Sequence, residues 1–208
     1  MTRRGFARRL LVALAMASTL GAALPVMAQP NDPAAPIRIL DDGLLQIMHA
    51  GAKTPFAERE QMLAPAVQAA FDLPQILKTS VGPRWSALPA PEQTELMTVF
   101  LRYTLASYVA NFNNFSGEKF VVRPATRSVG SDRVVETQIV PADGDPTRID
   151  YVMRATNTGW KAIDVLLDGS ISRVAVQRSD FRSLLGSGNA SALISSLRTK
   201  TANLEAGR

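Results

Sequence analysis

Phe120-Val121-Val122-Arg123, Val134-Val135-Glu136-Thr137-Gln138-Ile139-Val140, Ile149-Asp150-Tyr151-Val152-Met153-Arg154 and Trp160-Lys161-Ala162-Ile163-Asp164-Val165-Leu166 are four short runs rich in β-branched and aromatic residues. Turn chemistry separates them: Val129-Gly130-Ser131-Asp132, then Asp143-Gly144-Asp145-Pro146, then Asn157-Thr158-Gly159. Such runs and spacers read as strands joined by tight connections. Parallel strands need long crossovers, usually helical, so these gaps predict antiparallel hairpins.

Upstream the apolar period is helical. Ile37, Leu40, Leu44, Ile47 and Met48 recur on one face. After Gly51, Thr54 with Pro55 and Glu58 resembles a helix start carrying Pro at its first position. That helix holds Phe56, Met62, Leu63, Val67 and Phe71, and Pro65 is expected to kink or divide it. Asp72 can cap a short helix through Leu77, and Gly82-Pro83 breaks the chain. Pro89 to Pro91 open the longest helix, running to about Asn113, with a broad apolar face that includes Leu96, Val99, Phe100, Tyr103, Tyr108 and Phe112. Two more helices are expected after the strands, about Ile171 to Leu185 and Ala190 to Leu204, split by Gly186-Ser187-Gly188. Helices, a meander of about four strands, then helices predict an α+β domain whose curved antiparallel sheet is covered on one face.

The first residues read differently. Arg3, Arg4, Arg8 and Arg9 precede an apolar stretch from Leu10 to Leu24, and Val26-Met27-Ala28 offers small residues at the positions a signal peptidase reads. The stretch is broken by Gly21 and ended by Pro25, and it is shorter than the roughly 20 apolar residues of a spanning helix. It is therefore read as a signal peptide over residues 1–28, cleaved between Ala28 and Gln29; an uncleaved anchor is the other reading. Thr2-Arg3-Arg4-Gly5-Phe6 also fits a twin-arginine export signal, beside the ordinary Sec route. Gln29 to Pro36 reads as a flexible leader, and residues 37–208 as a single domain.

Taking the four signal arginines from the 23 Lys plus Arg leaves 19 against 18 acids, so the mature chain is near neutral. No basic run follows Arg9, and nucleic acid is not expected as a partner. The chain has no cysteine, which excludes thiol catalysis, Fe–S clusters and Cys-ligated zinc. Its single histidine, His49, has no partner His for a metal site and fits the end of a helix, where cations meet exposed carbonyls. Asp150 and Asp164 could do acid–base work if they faced one cleft. Beside Arg148, Arg154 and Lys161, however, they read as cross-strand pairs on a wet sheet face. Asp168-Gly169 reads as a turn pair, and Arg178-Ser179-Asp180 as a solvated helix face. No phosphate-cradling loop is present. No cofactor and no metal are expected, and a catalytic role is not. Composition favours a packed core where the long helix meets the sheet.

Longer stretches carry a family likeness. Phe71-Asp72-Leu73 is followed by Gly82-Pro83-Arg84-Trp85, then by Tyr103-Thr104-Leu105-Ala106-Ser107-Tyr108 with Phe112 and Ser116-Gly117. Ile149 to Arg154 comes next, then Gly159-Trp160-Lys161-Ala162-Ile163-Asp164-Val165-Leu166-Leu167-Asp168-Gly169-Ser170-Ile171-Ser172 and Arg178-Ser179-Asp180-Phe181. In this order and spacing, over most of residues 38 to 204, the chain resembles the MlaC or toluene-tolerance family of periplasmic lipid carriers. Val176-Gln177 stands where that family commonly has Asn-Tyr, which resembles its hopanoid-associated HpnM branch.

The resemblance implies helices and sheet enclosing an apolar pocket that holds a phospholipid or a hopanoid. It implies a soluble periplasmic carrier between inner and outer membranes, served by an MCE-type ABC transporter or a hopanoid exporter at the inner membrane and by an outer-membrane lipoprotein complex. Phe100, Tyr103, Tyr108, Phe112, Tyr151 and Val165 are the expected lipid-binding residues, with Trp160 as structural support. Arg84, Arg123 and Arg127 are candidates for docking partners, and solvated surface is their other reading. Two further functions stay open: a small pocket enzyme on a cone-shaped α+β fold, and a non-binding assembly factor for a membrane complex.

Overall fold

The computed structural model describes residues 32–186 and 188–207, so the signal peptide and the first residues of the leader lie outside the described residues. Helix α1 (Ala35–Ala50) starts inside the expected leader, where the Asp32 carboxylate accepts from the Ala34 amide at 2.8 Å. Helix α2 (Phe56–Ala70) begins at Phe56, with Pro55 as its N-cap. Thr54 does not act as the expected cap: its hydroxyl donates back to the Ala50 carbonyl at 2.8 Å. Nor does Pro65 divide α2. It lies exposed within the helix, and Gln61, whose carbonyl it leaves unbonded, is exposed too, so water can serve that oxygen.

Helix α3 (Leu73–Val81) is capped as expected, Asp72 accepting from the Gln75 amide at 3.0 Å. A 3₁₀ turn (Gly82–Ala87) leads to α4 (Ala90–Asn111), the longest helix. The strands are β1 (Lys119–Val129), β2 (Asp132–Val140), β3 (Thr147–Thr156) and β4 (Gly159–Leu167), all antiparallel neighbours in chain order. The β1–β2 register breaks between Val122 and Thr126, where Pro124 has no N–H for the ladder.

A fifth strand, β5 (Ile171–Ser172), replaces the expected helix start. Asp168 and Gly169 both have positive φ, 51° and 72°, and this turn folds Ile171 and Ser172 back onto Leu167 and Leu166. Helix α5 (Arg173–Arg182) follows, and α6 (Ser191–Glu205) closes the domain.

The core lies between helices and sheet. Leu40, Leu63, Leu96, Phe100, Met153 and Leu193 are almost wholly buried within it. Helix α1 packs so closely on α2 that a Cβ on Gly43 would sit 2.7 Å from the Ala66 Cβ. The α2–α3 junction joins the sheet: Phe71 bridges Ala162 of β4, and the Asp72 amide donates to the Ala162 carbonyl at 2.9 Å. Among the described residues, no helix is long and apolar enough to cross a membrane.

Candidate functional site

The interface of α4 with the sheet is not filled. A half-enclosed cavity of about 430 Å³ lies between α4, β3, β4 and α5. The structure places Phe100, Tyr103, Tyr108, Phe112, Tyr151 and Val165 on its wall, together with Phe71, Ile149 and Leu167. This overturns the packed core that composition favours. A cavity arises where facing side chains fail to interdigitate, which depends on three-dimensional register and leaves no mark on residue content.

Aromatic rings line one side in a continuous series. Phe71 lies 5.7 Å from Tyr108 and 6.2 Å from Tyr151, centroid to centroid; Tyr108 lies 6.1 Å from Phe112, and Phe112 6.0 Å from Phe120. Burial holds the Tyr108 and Tyr151 phenols far above their ordinary pKa. Both stay neutral at physiological pH. Trp160 is half-buried against the core and pairs with Ala155 across β3–β4, outside the cavity lining.

The polar side of the cavity was missed in the sequence. Thr104, Ser107 and Asn111 form a stripe down α4, three and four residues apart, facing Arg173 and Gln177 of α5. The Ser107 hydroxyl donates to the Tyr103 carbonyl and the Asn111 amide to the Ser107 carbonyl, both at 2.7 Å. The Ser107 donor is spent within the helix, while Asn111 keeps a second N–H. Polar residues at helical period on an otherwise apolar face were the available signal.

Asp150 is fully buried, which corrects the expected wet-face placement. The Arg148 guanidinium donates to both its oxygens, at 3.0 and 2.7 Å, and also approaches Glu136 at 3.3 Å. Asp164 is the acid that does reach the cavity, yet it forms no cross-strand ion pair. Its carboxylate accepts from the Val165 amide at 2.8 Å, the Val174 amide at 3.1 Å and the Ser172 hydroxyl. Arg154 pairs instead with Asp132 at 2.7 Å, and Lys161 donates to backbone carbonyls of α2. His49 sits in the last turn of α1, as expected, its ring 3.9 Å from that of Phe115. Asp150, Asp164 and His49 therefore do not converge on one cleft.

The three docking candidates separate. Arg84 donates to the Arg182 carbonyl at 2.8 Å and the Leu185 carbonyl at 3.0 Å, so it closes the end of α5. Arg123 approaches Glu136 at 3.9 Å, and Arg127 lies exposed on β1. Arg178-Ser179-Asp180 is exposed, as expected, while Phe181 is buried edge-on to Phe100 at 6.4 Å.

A second hollow of about 580 Å³ lies between the α1–α2 loop and the end of α6, bordered by Lys53, Thr54, Arg59 and Glu205. Buried Arg59 donates there to the Thr54 carbonyl at 3.2 Å and the Val109 carbonyl at 3.0 Å, which anchors the loop to the end of α4. The cavity beside α4 is the candidate site.

Among curated proteins none matches this chain. Among solved structures, the phospholipid-binding protein from Ralstonia solanacearum, in complex with a phospholipid, shares the fold at a TM-score of 0.72 and 20% sequence identity. The alignment covers 83% of this chain and 98% of that one. The family described as MlaC protein matches residues 39–199, which include every residue of the cavity wall. This chain belongs to the MlaC protein family.

Proposed function

We propose that this chain is a periplasmic lipid carrier that takes the apolar body of a membrane lipid into the α4–sheet cavity and moves it between inner and outer membranes unchanged. The observation that carries this reading is the half-enclosed cavity, apolar and aromatic on one side, in a chain of this family. Pockets for small ligands are mostly apolar, with few polar groups to orient the guest. An acyl chain gains about 0.8 kcal/mol per methylene on burial, so a lipid needs such an enclosure to cross water. Phe100, Tyr103, Tyr108, Phe112, Tyr151 and Val165 would contact the apolar body. The polar stripe of α4 and Arg173 would face the head group at the rim. A non-binding assembly factor has no need of this cavity, and for an enzyme the one acid on its wall, Asp164, is already engaged by the Val165 and Val174 amides and the Ser172 hydroxyl.

The Ralstonia neighbour, named for phospholipid binding, supports phospholipid as the cargo. One observation favours a hopanoid instead. Gln177, part of the Val176-Gln177 departure from the family pattern, lines the cavity and accepts from the Ser80 hydroxyl at 3.1 Å, so the branch difference reaches the wall itself. Export rests on the signal-like first 28 residues. An MCE-type ABC transporter or a hopanoid exporter would load or unload the carrier at the inner membrane, with a lipoprotein complex at the outer one. The test is mass spectrometry of an organic extract from protein exported and purified without detergent. One co-purifying lipid per chain is expected, its identity separating phospholipid from hopanoid. Protein that carries no lipid, and takes none from vesicles, refutes the carrier reading.

A further inference from the structure

We propose that the hollow between the α1–α2 loop and the end of α6 is a second binding site, which takes a phosphate group on Arg59 and Lys53. It shares no lining residue with the cavity beside α4. The bonds that Arg59 makes within the protein explain how it anchors the loop, but not why it carries a charge. Two carbonyls accept from the guanidinium, which has five N–H groups. A glutamine amide also offers two donors, with no charge to desolvate. Arg59 is 6% exposed, and burying a cation without an acid beside it is costly. Among the described residues neither Arg59 nor Lys53 forms an ion pair. The Phe56 ring, 5.5 Å from the guanidinium carbon, and the negative end of α4 at Val109 offset part of that cost. The remaining N–H groups belong to a side chain that lines an open hollow.

The charges around the hollow favour an anion. Glu205 is the one acid among the lining residues, and Arg102 already holds its Oε1 at 3.1 and 2.7 Å. Burial, and after it the Glu205 charge, raises the pKa of nearby Glu60. With Arg102 counted, the lining sets the cations Lys53, Arg59 and Arg102 against the single carboxylate of Glu205. Lys53 and Asn113 are exposed on the border, where an ammonium and an amide can meet a ligand from solvent. A carboxylate has two oxygens, which a guanidinium fork saturates. A phosphate group has a third, enough for the fork and the ammonium together. The phosphate comes either from solution or from the head group of an anionic lipid at a membrane surface.

The exported protein, purified without detergent, is titrated with inorganic phosphate at constant ionic strength in a calorimeter. One phosphate per chain is expected, with a Kd of about 1 mM or tighter. Lys53→Glu changes an exposed side chain and is expected to weaken binding at least about tenfold, with the far-ultraviolet spectrum and the lipid content unchanged. Arg59→Lys keeps a cation but loses the fork, and is expected to weaken binding as much. A parent that shows no saturable phosphate binding, or a Lys53→Glu variant that binds as well as the parent, overturns the site and leaves the carrier reading untouched. Sedimentation with phosphatidylglycerol vesicles, against phosphatidylcholine vesicles as the control of zero net charge, separates the two sources once phosphate binds. Pelleting that Lys53→Glu abolishes assigns the site to a lipid head group; no such pelleting assigns it to phosphate in solution.

Discussion

Lys161 reaches back from β4 to the carbonyl oxygens of Gln68 and Ala69, both at 2.7 Å, and so closes the C-terminal end of α2. A cation there also meets the negative end of the helix dipole. Residues that look like chemistry in the sequence thus serve as ties: Lys161 for α2, Arg84 for α5, and Arg148 for the buried Asp150 on its own strand and Glu136 on β2. Gly169 belongs to the last of these. Its φ is 72°, and a Cβ there would lie 2.7 Å from the Arg148 Nε. Gly169→Ala is expected to cost about 1–2 kcal/mol from the backbone alone, and more because Arg148 must leave Asp150, read as a lower midpoint in urea unfolding. Asp41 makes the pH prediction. It is 6% exposed on the inner face of α1, and burial, with Asp42 adding to it, pushes its pKa up to about 7. The unfolded chain releases that proton near pH 4, so the native state holds it longer. Below pH 4 both states are protonated and the group is neutral to stability. Between about pH 4 and 7 stability falls as pH rises, by an amount of order 2–4 kcal/mol, and the loss is complete above 7. Asp41→Asn is expected to flatten this slope and to raise the melting temperature at pH 8 but not at pH 4. An unchanged pH profile would show that Asp41 is not buried as a titrating acid.

Helix α5 depends on one acid for its placement. Asp164, on β4, accepts from the Val174 amide and the Ser172 hydroxyl, and Ser172 in turn accepts from the Ala175 amide at 2.9 Å. Strand and helix start are thereby joined at the cavity rim, where Arg173, Val174 and Gln177 complete the wall. Asp164→Ala is expected to cost about 1–2 kcal/mol, the usual range for a lost cap. It should also raise amide exchange through Arg173–Gln177 before it does so in α4, which hydrogen-exchange mass spectrometry resolves. The elements most legible in the sequence are those with a strong internal period, namely the four long strands and α4, along with α3 with its Asp72 cap. Strand β5 was not legible, because two residues have no period; only the turn at Asp168-Gly169 folds them onto β4. The Thr54 cap failed for a related reason, since its hydroxyl had a closer acceptor in the preceding helix turn. Asp150 was misplaced because a strand pattern does not tell how far neighbours cover an acid: it lies on the face opposite Ile149 and Tyr151, where Arg148 grips both its oxygens. The wall residues of α4 were legible as an apolar face, but whether that face meets the sheet or leaves space is a property of packing.

At the scale of the whole molecule, a long helix and a sheet face each other across the cavity. Helix α5 holds α4 through Phe181 against Phe100, and the α2–α3 junction holds the sheet where Phe71 bridges Ala162. Between them the cavity remains, and an unfilled apolar cavity lacks contacts that a well-fitting guest supplies. A ligand that binds only the folded chain stabilises it by RT ln(1 + [L]/Kd), about 2.7 kcal/mol at a hundredfold excess over Kd. Lipid loading should therefore raise the melting temperature. A side chain that fills the same space should do so without lipid and should block uptake. Thr104 is half-buried and lines the cavity from α4, on the polar stripe, where a larger residue would project into the space and not into the core. Thr104→Trp is expected to fold with an unchanged far-ultraviolet spectrum, to melt no lower than the lipid-free parent, and to retain at most about a tenth of its lipid. Scanning calorimetry and lipid extraction on the same preparation read both quantities. If the variant folds and still carries a full complement of lipid, the guest lies elsewhere, and the cavity beside α4 is not the binding site.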